Sequence, residues 1–308
     1  MIRVFHSASY TADIGEHVMP MRKFDLVRRA IETATLGVRI EEPSPVQQKD
    51  LLRVHTKDYV KAIATGEPRA LAESQKFPWS AELAEAVRWT NGGCVAALRA
   101  ALEDGVAGNL ASGFHHAHAD HGEGFCTFNG LVVALERARA DKKIARGLVV
   151  DLDLHYGNGT AALVATRQGL FNLSIYGSWY HANNASTDVE TVRAPDTANS
   201  WSVPVPNGTK GAEYVRIVGE HVARAIERAR PDVILYQAGA DPYREDPYSP
   251  LDVGLEDLAA RDRLVFAAAR DAKIPIAWVL AGGYTKDVTK VVAVHVNTAR
   301  AAAEVFAA

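Results

Sequence analysis

Asp151-Leu152-Asp153-Leu154-His155 sets two carboxylates and an imidazole at alternate positions of one short stretch. On an extended backbone, residues two apart point to the same side, so Asp153 and His155 can reach one ion together. Asp241, after a separate apolar run, could close the set. Two carboxylates and one imidazole leave a coordination position open on zinc, as a catalytic site requires and a closed structural site does not. The same triplet also serves as a capped turn at a strand end. Four of the eleven histidines, His115, His116, His118 and His121, crowd into one loop. For His115 and His116, beside Gly113, Phe114 and Ala117, an enclosed acid–base site and a plain His-rich loop stand level. His118 and His121 read as a surface loop with adventitious metal affinity.

These residues need elements to hold them. From Arg146 onward, short apolar runs alternate with amphipathic stretches: Gly147–Val150, Leu170–Ile175, Asp232–Tyr236 and Ile274–Leu280, with helical segments Glu213–Arg230 and Leu255–Ala272 between. Continuous apolar strands separated by helices predict an α/β fold with a parallel sheet covered on both faces. Ligands of such sheets bind beyond the carboxyl ends of the strands. Three of the four runs are followed by ionisable or phenolic groups: Asp151 to His155, Gln237 to Asp241, and Gly282-Gly283-Tyr284. The first hundred residues read mostly helical, including Phe24–Ile31 and a long region from Ser80, a plausible N-cap, to Asp104. Gly92 and Gly93 within it imply a kink or close packing.

The chain has 308 residues, 48% hydrophobic and 23% charged, with a net charge of −3 and a pI near 6.4. This balance gives no electrostatic reason to expect nucleic acid, and no apolar run approaches the ~20 residues of a membrane span. No linker or repeat divides the chain, so a single domain over 1–308 is expected. Cys94 and Cys126 are too few to staple it, and a cytoplasmic setting fits. A nucleophile elbow, a Walker loop and a dinucleotide fingerprint are all absent from the sequence.

Gly113-Phe114-His115-His116-Ala117, Gly124-Phe125-Cys126-Thr127-Phe128-Asn129, Asp151 to Gly159, Gly239-Ala240-Asp241 and Gly282-Gly283-Tyr284 resemble, in order, the zinc-dependent histone deacetylase family. Val54-His55-Thr56-Lys57-Asp58-Tyr59 extends the likeness towards the N-terminus. The compact length and the ending Ala281 to Lys286 look most like the small class IV branch and its bacterial relatives. The resemblance implies the arginase/deacetylase fold and hydrolysis of an N-acyl-amine, typically N-ε-acyl-lysine of proteins or peptides. It would place zinc on Asp153, His155 and Asp241. His115 and His116 would be the tandem histidines, one of them activating the attacking water and protonating the leaving amine. Tyr284 would donate to the developing oxyanion. Asp151 would pair with His115, and Asn158, where many relatives carry Asp, would face His116. Gly124 and Phe125 would line the acyl-lysine tunnel, with Gly282 and Gly283 beside it. A structural potassium would sit at Asp151, Asp153, His155, Ser174 and Ile175, partly on main-chain oxygens.

Two departures bear on substrate. Lys76-Phe77-Pro78-Trp79-Ser80 offers no acidic residue to grip a peptide backbone, and the second tunnel aromatic is Trp179 or Tyr180. An arginase-type binuclear manganese hydrolase would want another carboxylate soon after His155, where Tyr156 and Gly157 stand. An acylated polyamine or other small amine is the alternative substrate. A non-catalytic acyl-lysine binder would be expected to have lost a ligand or Tyr284.

Overall fold

The apolar runs after Arg146 are strands because their side chains have nowhere wet to point: Leu148, Val149, Val150, Ile234, Leu235 and Trp278 are fully buried. The structure, a computed structural model, describes residues 1–181, 184–187 and 195–306, with the backbone alone at 179–181 and 184–187. Ten strands are described: β1 (Ile2–Phe5), β2 (Val38–Glu41), β3 (Val106–Ser112), β4 (Gly147–Asp151), β5 (Leu170–Tyr176), β6 (Trp179–His181), β7 (Asn184–Thr187), β8 (Ser200–Pro204), β9 (Val233–Ala238) and β10 (Ile276–Leu280). Eight of them form one sheet in the order β2-β1-β3-β10-β9-β4-β5-β8. Every pairing in it is parallel. β6 and β7 make a separate antiparallel pair.

The helices are α1 (Lys23–Thr33), α2 (Gln48–Leu51), α3 (Lys57–Thr65), α4 (Arg69–Ala72), α5 (Ala81–Asp104), α6 (Gly130–Ala140), α7 (Asn158–Ala165), α8 (Gly211–Ala229), α9 (Leu255–Asp271) and α10 (Val288–Phe306). One packed group runs α3-α5-α6-α7 and another α8-α9-α10-α1. Both faces of the sheet are covered, as its wholly buried central strands require. Among the described residues, no helix is long and apolar enough to cross a membrane.

The first hundred residues depart from the helical expectation, for they supply β1 and β2. The Ser80 hydroxyl caps α5 by accepting from Leu83 N at 3.0 Å. Gly92 and Gly93 lie in one unbroken helix and mark close packing: a Cβ at Gly92 would come 2.0 Å from Ser44 O, and one at Gly93 2.0 Å from the Tyr10 hydroxyl. That hydroxyl donates to Asn109 Oδ1 at 2.7 Å, tying the 3-10 turn Ala8–Tyr10 to β3.

Candidate active site

Four adjacent strands at the centre of the sheet, β3, β10, β9 and β4, deliver the polar residues from their carboxyl ends. β3 leads to His115 and His116, β10 to Gly282 and Tyr284, β9 to Asp241, and β4 to Asp153 and His155. A sheet-end crevice gathers them.

Asp153, His155 and Asp241 are buried together, their ligand atoms within 4.8 Å of one another. His155 Nδ1 lies 3.3 Å from Asp153 Oδ1 and 3.2 Å from Asp241 Oδ2. Backbone donors fix the carboxylates: Gly282 N donates to Asp153 Oδ2 at 2.7 Å and Leu154 N to Asp241 Oδ1 at 2.9 Å. Burial and the facing Asp153 raise Asp241 above the usual carboxylate range. Two buried carboxylates pressed on one imidazole are strained by repulsion, and a divalent cation there relieves it. These three residues form a group able to hold a metal ion.

Behind them lies a buried guanidinium that sequence reading did not single out. Arg261, from α9, donates to Gly239 O at 2.8 Å and Leu152 O at 3.4 Å. It clamps the two turns that carry Asp241 and Asp153. Asp262 balances it at 2.8 Å, and itself accepts from Tyr236 Oη at 2.5 Å and Thr298 Oγ1 at 2.6 Å.

The tandem histidines sit in different electrostatic settings. His115 Nδ1 is 2.7 Å from Asp151 Oδ2 and His115 Nε2 is 3.7 Å from Asp153 Oδ1. Burial opposes its charge, but these two carboxylates prevail and raise its pKa. His116 Nδ1 faces the neutral Asn158 Oδ1 at 2.7 Å. Burial, then the neighbouring His115 and His155, hold it well below the ordinary imidazole value. The two rings are 4.0 Å apart. One is suited to remain cationic and the other to accept a proton, the split that acid–base work needs.

Tyr284 is placed beside this centre, its ring 6.3 Å from that of His155, with its backbone N donating to Asp246 Oδ2 at 2.7 Å. Burial, Asp153 and Asp241 keep its hydroxyl protonated well above the usual phenol range, so it is a standing donor. Gly124, Phe125 and Gly282 line the same cavity with Met19, Lys23, Phe114 and Cys126. Phe125 takes a left-handed backbone at φ +66°, as does Phe114 at +61°. Bulky residues pay for that conformation, on the order of 1–3 kcal/mol each, and here it turns both rings to the cavity. Phe77 stacks on Phe125 at 5.5 Å and His17 meets it edge-on at 4.7 Å. Lys23, also missed, is fully buried and donates to Ala281 O at 2.7 Å. Burial lowers its pKa to about 8 against the pull of Asp241 and Asp153.

Of the remaining expected residues, Ser174 lies directly beside Asp151 in the β4–β5 register. Its hydroxyl accepts from Gly157 N at 3.4 Å, and Ile175 follows it in β5. Gly283 adopts φ +145° against Ala240 and Val291. The side chains of Trp179 and Tyr180 lie outside the described residues. His118 and His121 stack at 4.5 Å in a half-exposed loop. With Glu123 they form a second cluster of metal-ligand type.

The histone deacetylase domain profile matches residues 17–299. An uncharacterized protein of Picosynechococcus is 29% identical over 98% of both chains. Histone deacetylase 2 of Arabidopsis thaliana is 30% identical over 82% of this chain, which spans 65% of that protein. The crystal structure of acetylpolyamine aminohydrolase from Burkholderia pseudomallei superposes with a TM-score of 0.78 at 21% identity, covering 99% of each chain. That likeness carries the arginase/deacetylase fold expected above. The chain belongs to the histone deacetylase family of amide-bond hydrolases.

Proposed function

We propose that this protein is a zinc-dependent deacylase that hydrolyses N-ε-acyl-lysine in proteins or peptides. One observation carries the reading: Asp153, of the buried Asp153–His155–Asp241 group, lines the same cavity as two electrostatically distinct histidines and Tyr284. Zinc held there supplies a Lewis acid that polarises the acyl carbonyl and lowers the pKa of water.

The chain's own residues supply the rest. His116 takes the proton of the attacking water on Nε2 while its Nδ1–H stays on Asn158. The same nitrogen then returns that proton to the leaving amine, so the C–N bond breaks to a neutral amine and a carboxylic acid. His115, held cationic by Asp151, offsets the charge that builds on the carbonyl oxygen. The Tyr284 hydroxyl donates to that oxygen, a role worth about 2–4 kcal/mol for a single oxyanion donor. Phe114 and Phe125 exclude water from the acyl-lysine stem. A potassium on Asp151, Asp153, His155, Ser174 and Ile175 would suit hard oxygen ligands and brace the β4–β5 edge of the site.

A second substrate reading, an acylated polyamine or other small amine, is favoured by the absence of a carboxylate from residues 76–80. The zinc-loaded protein should be offered acetyl-, fatty-acyl- and trifluoroacetyl-lysine peptides beside acetylated polyamines. Peptides turned over with at least a tenfold advantage in kcat/KM uphold the lysine reading. The reverse preference replaces it with the small-amine reading.

A further inference from the structure

His116 serves as a base only if its Nδ1 carries the proton and Nε2 the lone pair. Asn158 alone does not secure this. Its amide has an oxygen and an NH2 of nearly equal size, and turning it over would present donors to His116 Nδ1. That would drive the imidazole to the Nε2–H tautomer, which accepts nothing at that end.

The amide has a second neighbour. Asn158 Nδ2 donates to Glu123 Oε2 at 2.7 Å, while Asn158 Oδ1 faces His116 Nδ1 at 2.7 Å. An ionised carboxylate only accepts, so the NH2 must turn to Glu123 and the oxygen to His116. Glu123 is itself well held. Its backbone N donates to Cys126 O at 3.2 Å, and Cys126 N donates back to Glu123 O at 2.8 Å. His118 Nε2 approaches the same carboxylate at 3.4 Å. The Glu123 side chain is mostly covered, at 19% exposure, where competing water is scarce and a charge-assisted hydrogen bond counts.

We propose that Glu123 is a positioning residue for hydrolysis: by holding the Asn158 amide in one orientation it sets the His116 tautomer that leaves Nε2 able to accept a proton. The carboxylate that other sites place directly on a catalytic imidazole stands one residue further out here, with an amide between. This rests on the amidohydrolase reading for its consequence in turnover, but not for the tautomer itself.

The test uses the zinc-loaded protein with 15N-labelled histidine, the His116 signals being assigned by loss in a His116→Ala variant. Wild type should show His116 protonated on Nδ1, and Glu123→Ala should move the proton wholly or partly to Nε2. In turnover, E123A should lower kcat tenfold or more with KM within twofold, and E123Q, whose amide oxygen can still accept, should stay within threefold of wild type. Asn158→Asp accepts on both oxygens and has no need of Glu123, so adding E123A to N158D should cost less than twofold. Nδ1–H retained on His116 in E123A overturns the proposal, as does an equal kcat loss in both backgrounds, which marks Glu123 as merely structural. If wild type hydrolyses none of the acyl-amines, the functional reading fails while the tautomer measurement still decides the role of Glu123.

Discussion

Replacing Gly282 with alanine adds a single methyl, and the structure states where it goes. A Cβ at Gly282 would stand 1.9 Å from Asp241 Oδ2, 2.4 Å from Asp241 Cγ and 2.9 Å from Asp153 Oδ2. The backbone of Gly282 has no left-handed φ, so strain in the chain is not the issue and only space forbids the methyl. To restore an ordinary contact of 3.4 Å, Asp241 Oδ2 must retreat by about 1.5 Å from its 1.9 Å position. Metal–ligand distances tolerate only ~0.2 Å. G282A therefore loses Asp241 as a ligand, and zinc affinity should fall at least ~100-fold, or about 2.7 kcal/mol. The assay is competition for zinc against a chelating dye, with metal content after dialysis and a thermal melt to confirm folding. Gly157→Ala is the control: its Cβ would meet Asp151 Oδ2 at 2.3 Å and His115 Nδ1 at 3.1 Å. It should impair turnover and leave zinc affinity within threefold. Wild-type zinc affinity in a folded G282A protein would refute the assignment of Asp241.

Tyr284→Phe should keep zinc and fold yet lose about 2–4 kcal/mol of transition-state stabilisation, roughly 30- to 1,000-fold in kcat; full activity removes Tyr284 from the oxyanion role. Arg261→Met should destabilise the protein by about 3–5 kcal/mol, because Asp262 is left buried without its cation; a urea midpoint equal to wild type contradicts the clamp. His55 should make stability fall with acid. Its Nδ1 faces His118 O at 2.8 Å while Nε2 accepts from Asn129 N at 3.0 Å, a pattern only the neutral ring satisfies. Burial lowers its pKa to about 4, below the unfolded value of ~6.5. The stability it confers is thus complete above pH ~6.5 and drains away as pH falls towards 4, about 3 kcal/mol in all. Urea titrations from pH 7.5 to 4.5 should show a shallower acid decline for His55→Gln than for wild type, and identical slopes would dismiss His55 as the cause.

The sequence was most legible where burial is complete. β4, β5, β9 and β10 announce themselves as apolar runs because both faces of the central sheet are dry. β3 gives no such signal: in Val106–Ser112 the apolar run is broken by Gly108, Asn109 and two alanines, and Gly108 must let Trp278 lie over it, a Cβ there coming 2.3 Å from the indole. β1 and β2 are four residues each and only half buried, so their arginines and glutamate blur the period. Missing β3 hid the reason His115 and His116 reach the site, which is the pairing of β3 with β10. The residues that follow β4, β9 and β10 were readable because polar side chains directly after apolar strands stand out. Lys23, Glu123 and Arg261 were not. Each is a charged residue in an ordinary context, and only the tertiary fold sets it against a backbone carbonyl or an amide. The helical period of α1 or α9 marks Lys23 or Arg261 as inward-facing, but not what it meets there.

The most direct test of the central claim is to titrate zinc into metal-free protein while following hydrolysis of a trifluoroacetyl-lysine peptide. Turnover should rise linearly and saturate at one equivalent per chain, and D241N should stay inactive throughout. Turnover without metal, a need for two equivalents, or an active D241N protein would contradict a single metal held by Asp153, His155 and Asp241.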